Sequence, residues 1–506
     1  MANLHLLAPE FLVTGLAIGV LVADLFLPRW GKDRLALIAA AGLIAIALFT
    51  LVFLGGRAPV ALSGADANSG GSVILIDGFA LFFKVAFLAL GVLVVVGSWE
   101  FVQKHLAHPG EYYAMVLFSI LGMMLMTAAG ELLTAYIGLE LLSFSLYILV
   151  AMAREHPRSD EAGTKYILLG AFASALLLYG ISMVYGWLAQ EGGASNPTSF
   201  AAIYNSLQRK AELPPTFLIG LVLILAGLGF KLAAVPFHMW TPDVYQAAPL
   251  PITAYLAVGS KAAALALTVR LFAQGFLPVA GQWQLVVAVL AAATMTLGNL
   301  VALAQRNIKR LLAYSSIGQV GYLLVGLAAL GVISPDSSVT VSAAASNALV
   351  LHLVGYGVAN LAAFVAVIAF YNATGKEEVQ DFAGLADRNP FLAMALTVSF
   401  FSLAGLPIFA GFITKFYLFL AAAQADLLWL AALAIFNSLI SLYYYLVVVR
   451  VIYLQRAQDS APVGVSWVTG GLLAGLVIGT VLIGIYPAPL VDAIQTATAA
   501  LLPPGQ

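Results

Sequence analysis

The sequence contains no cysteine, which removes disulfides, thiolate metal sites and iron–sulfur clusters from consideration. Charge is nearly as scarce. Asp, Glu, Lys and Arg make up only 9% of the 506 residues and balance to a net charge of −1, where a soluble domain carries roughly 25% charged residues. With neither sign in excess, there is no electrostatic footprint for nucleic acid. No GxGxxG or GxxxxGK[ST] stretch falls in a strand–helix context, so a nucleotide or flavin fold is not encoded. The N-terminus lacks the basic cluster of a secretory signal. Glu10 and Asp24 flank its apolar run, and Met1–Pro28 therefore reads as a retained first helix.

What is present is apolar surface. Hydrophobic residues account for 62% of the chain, and the mean hydropathy is +1.01. A water-soluble body of this size cannot hide so much, which leaves an all-α polytopic membrane protein. Runs such as Leu221–Ala226 are continuously apolar, whereas the strands of a membrane barrel alternate every second residue. A spanning helix needs roughly 20 mainly apolar residues. By that measure fourteen spans are expected, at 8–27, 35–54, 78–98, 112–129, 131–152, 163–189, 215–235, 250–273, 281–304, 309–332, 341–371, 391–424, 427–454 and 467–486.

Basic residues gather on the inner side of membranes. With the N-terminus outside, the inner loops hold Arg29, Lys32, Arg34, Lys104, Arg154, Arg158, Lys165, Arg306, Lys309, Arg310, Lys376, Arg388, Arg450 and Arg456. The outer loops and helix ends hold only Arg57, Arg209, Lys210 and Arg270. Both termini are therefore expected outside, with the longer loops, Gly55–Asp77 and Gln190–Pro214, on the same side.

Four lysines and one acid fall inside the apolar runs. Glu140 lies in the fifth span, Lys231 late in the seventh, Lys261 mid-way along the eighth, and Lys415 in the twelfth. Lys84, in the third span, has no evident role and is expected to face lipid or a subunit. An ionisable group at mid-membrane depth costs on the order of 2.5–3.5 kcal/mol by insertion scales and is a functional suspect. Structural ion pairs or snorkelling to the interface would explain any one of them. Fixed pairs would balance in sign, however, and here lysines outnumber the acid. Desolvation disfavours the charged form of a lysine, and a nearby carboxylate restores it. A lysine with a changing neighbourhood can thus load and release a proton. Glu140 is the expected partner of Lys231, with Lys261 and Lys415 as further stations.

Two spans look broken, the seventh at Pro236 and the twelfth at Pro407. Proline removes a backbone donor and clashes with the preceding turn, and irregular backbone at this depth marks ion sites in transporters. The two spans are five apart and cross in opposite directions. This suggests two inverted five-helix halves, 111–275 and 276–460, preceded by a three-helix segment, 1–110, and followed by a last helix in 461–506. His238 stands just past the first break and is a candidate link from Lys231 to the inner side. His352 is a candidate link between Lys261 and Lys415. Lys165 reads as an interfacial anchor, with relay support as the minority reading, and Asp243 as a cap of the extension past the first break or a local pair.

The stretches GLELLSFSLYILVA, EAGTKYILLGAFASALLLYG, GFKLAAVPFHMWTPDVYQAAP, SKAAALAL, NIKRLLAYSSIGQVGY and LAGLPIFAGFITKFYLF closely resemble the antiporter-like proton-pumping subunits of respiratory complex I. The match runs over roughly 110–455. The GLELLSFSLY motif, Lys415 in place of a glutamate, and the lack of a long lateral helix after the fourteenth span set the chain apart from two sister types. The resemblance implies that Glu140 and Lys231 are the family's paired carboxylate and lysine, Lys261 its central lysine and Lys415 its exit-side lysine, with Lys165 and His238 in support. His352 falls where the family does not generally keep a histidine. The resemblance also implies no cofactor on this chain. NADH, FMN, iron–sulfur clusters and quinone would belong to other subunits, and the partners would be membrane-arm subunits and the lipid of a bacterial inner membrane. A sodium/proton antiporter or membrane-bound hydrogenase subunit shares the fold and is the alternative.

Overall fold

The computed structural model describes residues 3–28, 31–57, 59–63, 72–153, 157–190, 196–210, 212–331, 338–457 and 461–501. Of the inner basic residues named above, Arg29 and Arg154 lie outside them. Helices α1 (Ala8–Phe26), α2 (Arg34–Leu54) and α3 (Gly78–His105) form an N-terminal group. Next come α4 (Pro109–Ala128), α5 (Leu132–Val150), α6 (Pro157–Gln190) and the short α7 (Phe200–Gln208). The pieces α8 (Pro215–Leu232), α9 (Trp240–Ala247), α10 (Leu250–Tyr255) and α11 (Lys261–Leu271) follow. The second part of the chain comprises α12 (Ala280–Ala302), α13 (Ile308–Leu330), α14 (Ser338–Thr374), the short α15 (Leu385–Arg388), α16 (Pro390–Ala404), α17 (Ala410–Gln424) and α18 (Leu428–Leu454). It ends with α19 (Trp467–Ile485) and α20 (Ala488–Thr498).

Twelve helices among the described residues are long and apolar enough to cross a membrane, against fourteen expected. The differences are local. Leu250–Ala302 forms one 53-residue run, because tight and wide turns at Phe272–Val279 carry the chain round Pro278 without a loop. The expected twelfth span is divided into α16 and α17, of 15 residues each. Each is about 22 Å long, short of the ~30 Å hydrocarbon core. The spans are all helical, and one short hairpin stands outside them. In the loop between α2 and α3, strands β1 (Val60–Ser63) and β2 (Ser72–Ile76) pair antiparallel; these apolar segments are too short to span, and Val60, Leu62, Ile74 and Ile76 pack with Leu54 and Leu6.

Helix pairs approach through glycine. A Cβ on Gly122 of α4 would stand 2.6 Å from the Leu142 backbone nitrogen of α5, and one on Gly298 of α12 would stand 2.5 Å from the Gly318 nitrogen of α13. With no apolar driving force between helices in lipid, such backbone-to-backbone packing supplies the association. Helices α13 and α14 are buried nearly all round. In contrast, α1, α2, α5, α6, α18 and α19 keep apolar side chains such as Phe26, Val52, Phe144, Phe172, Phe436 and Leu482 exposed, as a membrane-embedded body requires.

Both broken helices end in the same device. Helix α8 stops at Leu232, and Ala233 takes a left-handed conformation (φ 63°). The Ala234 amide then donates 2.8 Å back to the Gly229 carbonyl. Helix α16 stops at Ala404, Gly405 is left-handed (φ 90°), and the Leu406 amide donates 3.0 Å to the Phe401 carbonyl. These are Schellman closures. The breaks therefore begin three and two residues before Pro236 and Pro407, which bar the helix from resuming.

Candidate functional site

The site grows from small polar residues set one helical turn apart. On α5, Ser143 points inward and Glu140, partly buried, points toward α6, where the Ser174 hydroxyl donates to its carboxylate. Lys231 occupies the last turn of α8, where freed carbonyls favour a cation. It is 2% exposed and its Nζ donates 2.9 Å to Ser143 Oγ. Glu140 and Lys231 thus do not form the expected ion pair. One turn of α5 separates them, and Ser143 takes the ammonium. The Tyr166 ring, stacked on Trp240 at 4.5 Å, lies 5.9 Å from Lys231. The Trp240 indole in turn donates 3.0 Å to the Phe230 carbonyl, tying α9 across the break.

Lys261 opens α11 directly after a π-helical turn, Leu256–Ser260, a distortion frequent at functional sites. It is 1% exposed. Its Nζ donates 2.5 Å to Ser316 Oγ on α13 and lies 5.7 Å from the Tyr245 ring. Lys415, in α17, is held by what the break in the helix leaves free. Its Nζ donates to the carbonyls of Leu403 (2.9 Å) and Ala404 (3.3 Å) at the end of α16, and to Ser438 Oγ (3.0 Å) on α18. The Tyr322 ring faces it at 4.6 Å. From there a chain of polar side chains continues, with Asn299 Nδ2 donating 3.0 Å to the Tyr322 hydroxyl and the Tyr444 hydroxyl donating 3.1 Å to Asn299 Oδ1. A cavity of about 550 Å³, lined by Phe412, Phe416 and Leu439, opens beside Lys415. Among the described residues none of these three lysines forms an ion pair.

His352 Nδ1 stands 3.0 Å from Thr414 Oγ1, next to Lys415 in sequence. Its ring is 6.4 Å from that of Tyr322, and it bonds neither Lys261 nor Lys415. His238 follows the first break, with Nδ1 buried and unpartnered. Lys165 is exposed at the edge of the bundle, 2.7 Å from Glu161 and 3.5 Å from Asp243. Asp243 is paired, and Arg310 of α13 also reaches it, at 2.8 Å.

Two further charges are buried away from this site. Lys84 faces neither lipid nor a subunit. It is fully buried, 2.7 Å from the Glu10 carboxylate of α1. Arg270 stands in the last turn of α11 and is wholly buried, joined to Asp77 by two bonds of 2.7 Å. Burial alone would raise the Asp77 pKa, but Arg270 and the Ala80 amide hold it below the ordinary carboxylate value. Among the described residues no group of three or more His, Cys, Asp or Glu is placed to hold a metal ion. The hydroxyls that meet the lysines (Ser143, Ser316 and Ser438) and Ser174, which meets Glu140, escaped the sequence reading, because serine is an unremarkable residue in an apolar helix.

A many-helix membrane bundle with two interrupted helices and a file of buried cations defines an ion-transporter type of membrane protein. The profile of the family described as "NADH:quinone oxidoreductase/Mrp antiporter, TM" matches residues 129–441, and the chain belongs to that family. Proteins named NADH-quinone oxidoreductase subunit N are similar over their full length. That of Desulforamulus reducens is 39% identical over 500 residues, covering 99% of each chain. That of Dehalococcoides mccartyi is 40% identical over 510 residues, covering 99% of this chain and 100% of its own. A chain of respiratory complex I from Thermus thermophilus, solved with bound aureothin, superposes with a TM-score of 0.76 at 28% identity, covering 96% of this chain and 99% of its own.

Proposed function

We propose that this chain is a membrane-arm subunit, of the N type, of a proton-translocating NADH–quinone oxidoreductase in a bacterial inner membrane. On this reading it moves protons through Glu140, Lys231, Lys261 and Lys415, driven by quinone reduction in other subunits, and both termini face outward. The observation that carries the proposal is the partnering of the lysines. Three buried ammonium groups meet serine hydroxyls and no carboxylate. A hydroxyl accepts and donates, so it satisfies the lysine as an ammonium and as an amine.

Two five-helix halves, 111–275 and 276–460, fit this reading. The Gly122 and Gly298 crossings join the first two helices of each half, and the left-handed closures at Ala233 and Gly405 end the first part of the fourth. The N-terminal segment 1–110 and the tail 461–506 flank them. NADH, FMN, iron–sulfur clusters and quinone would be carried by partner subunits. The test is Glu140→Gln in the assembled complex in inverted membrane vesicles. Proton uptake per NADH oxidised is expected to fall while assembly persists. Wild-type pumping by the assembled variant would refute the relay.

A further inference from the structure

The N-terminal segment, outside the family match at 129–441, holds a buried titratable pair that the relay does not use. Glu10 stands in the first turn of α1 and Lys84 in the second turn of α3. Helices α1 and α3 run in the same direction, with α2 returning between them, so both groups lie toward the same end of the bundle. The contact is 2.7 Å, with Lys84 fully buried and Glu10 6% exposed at the side chain. Beyond this contact neither carboxylate oxygen nor the ammonium has a polar partner among the described residues.

The neighbouring pair shows what a fixed ion pair in this protein looks like. Asp77 and Arg270 share two bonds, Ala80 donates 2.8 Å to Asp77, and Gln274 contacts Arg270 at 3.4 Å. Arginine does not lose its proton in proteins, so that pair stays charged. Glu10 and Lys84 have none of this support. Two charges taken from water repay their desolvation only when further hydrogen bonds satisfy them, and a lysine can give its proton up. Beyond Gln274, which donates 3.0 Å to the Ala500 carbonyl, a cavity of about 310 Å³ opens between Ser72, Asn205 and Leu501.

We propose that Glu10 and Lys84 form a further proton-exchanging pair on the outer side of the bundle. In the exchange an N–H bond of Lys84 breaks and an O–H bond on Glu10 forms. This leaves a neutral amine and a neutral carboxylic acid, and the amine then takes a proton from within the bundle while the acid releases its own toward the outer water. Asp77 and Arg270 set the field in which this happens. The inference rests on the proton-translocation reading, and its test is built to fail separately from it.

The experiment compares Lys84→Arg, Glu10→Gln and Glu140→Gln in the assembled complex in inverted vesicles, measuring proton uptake per NADH oxidised. Lys84→Arg keeps the charge and the ion pair but cannot release a proton, so a structural staple would leave the ratio untouched. Proton exchange predicts a fall of about twofold or more for Lys84→Arg and for Glu10→Gln, with NADH oxidation retained. If the arginine does not fit, Glu10→Gln, which keeps the shape, decides alone. Wild-type ratios in the Glu10 and Lys84 variants beside a defective Glu140→Gln would overturn this inference only. Wild-type ratios in all three would overturn the translocation reading as well. Normal pumping by an assembled Glu10→Leu/Lys84→Met double variant would reduce the pair to a spacer and overturn the inference too.

Discussion

Replacing Lys261 with arginine separates a carried proton from a fixed charge. The ammonium of Lys261 is enclosed, 2.5 Å from Ser316 Oγ and 5.7 Å from the Tyr245 ring, and pairs with no carboxylate. Arginine would keep the positive charge and the hydrogen bond to Ser316, but it stays protonated under all ordinary conditions. It is also bulkier, and overpacking a filled site costs typically about 1–3 kcal/mol. The variant is therefore expected to assemble with somewhat lowered thermal stability. Truncation to alanine acts differently. It withdraws the nitrogen and leaves a gap of about 5 Å, more than one hydrogen bond of ~3 Å bridges. It also removes a buried charge whose insertion costs roughly 2.5–3.5 kcal/mol, so the protein should not lose stability in proportion. Both variants are expected to cut proton uptake per NADH oxidised to a similar, small residue, and Lys261→His, which still titrates near neutral pH, to retain part of it. Proton uptake by inverted vesicles, followed by a pH-sensitive dye and normalised to NADH oxidation, gives the readout, with native gels reporting assembly. Wild-type pumping by Lys261→Arg together with failure of Lys261→Ala would show that position 261 supplies a field and passes no proton, and the relay would be wrong at its centre.

Two further outcomes are expected. Lys32→Cys, a single thiol in a chain without cysteine, should resist an impermeant maleimide added to intact cells and react in inverted vesicles; labelling from outside would reverse the assigned orientation. Gly122→Leu should sharply lower the yield and thermal stability of the complex, because its Cβ would stand 2.6 Å from the Leu142 nitrogen, whereas Gly19→Leu, with nothing within 4 Å of its Cβ, should be tolerated; equal stability of the two variants would show that α4 and α5 do not depend on that close approach.

The sequence exposes what stands out against its surroundings. A lysine inside an apolar run is visible without any structure, which is why Lys231, Lys261 and Lys415 were found one by one. Their surroundings were not visible, because Ser143, Ser316 and Ser438 come from other helices and carry no local signal. Position along the chain also misled where charges sit near helix ends. Glu10, Asp77 and Arg270 look like boundary residues, yet the helices bring Glu10 to Lys84 and Arg270 to Asp77 in the interior. Proline marked the two interruptions, but the turning residues are Ala233 and Gly405. The glycine is a natural left-handed residue, whereas an alanine with positive φ has no signature in sequence. The fourteen expected spans and the twelve long helices differ at two places, where the chain turns at Phe272–Val279 without a loop and where the expected twelfth span is built from two 15-residue helices.

Arg270 and the three lysines of the proposed relay have different kinds of partner. Arg270 cannot release its proton and has a bidentate carboxylate, the arrangement that holds a charge in place. Lys231, Lys261 and Lys415 can release theirs, and each has a hydroxyl within 3.0 Å. A serine hydroxyl turns at little cost and is acceptor to an ammonium or donor to an amine, so it satisfies both protonation states of its lysine. A carboxylate would favour one of them by Coulomb attraction in a low dielectric, a bias that grows as water is excluded. In keeping with this, Glu140 is kept one helical turn from Lys231, so its charge acts through space while Ser143 occupies the lysine's hydrogen bond. On the proposed function, that separation keeps the acid near the lysine without capturing it, as a carrier that must both load and unload requires.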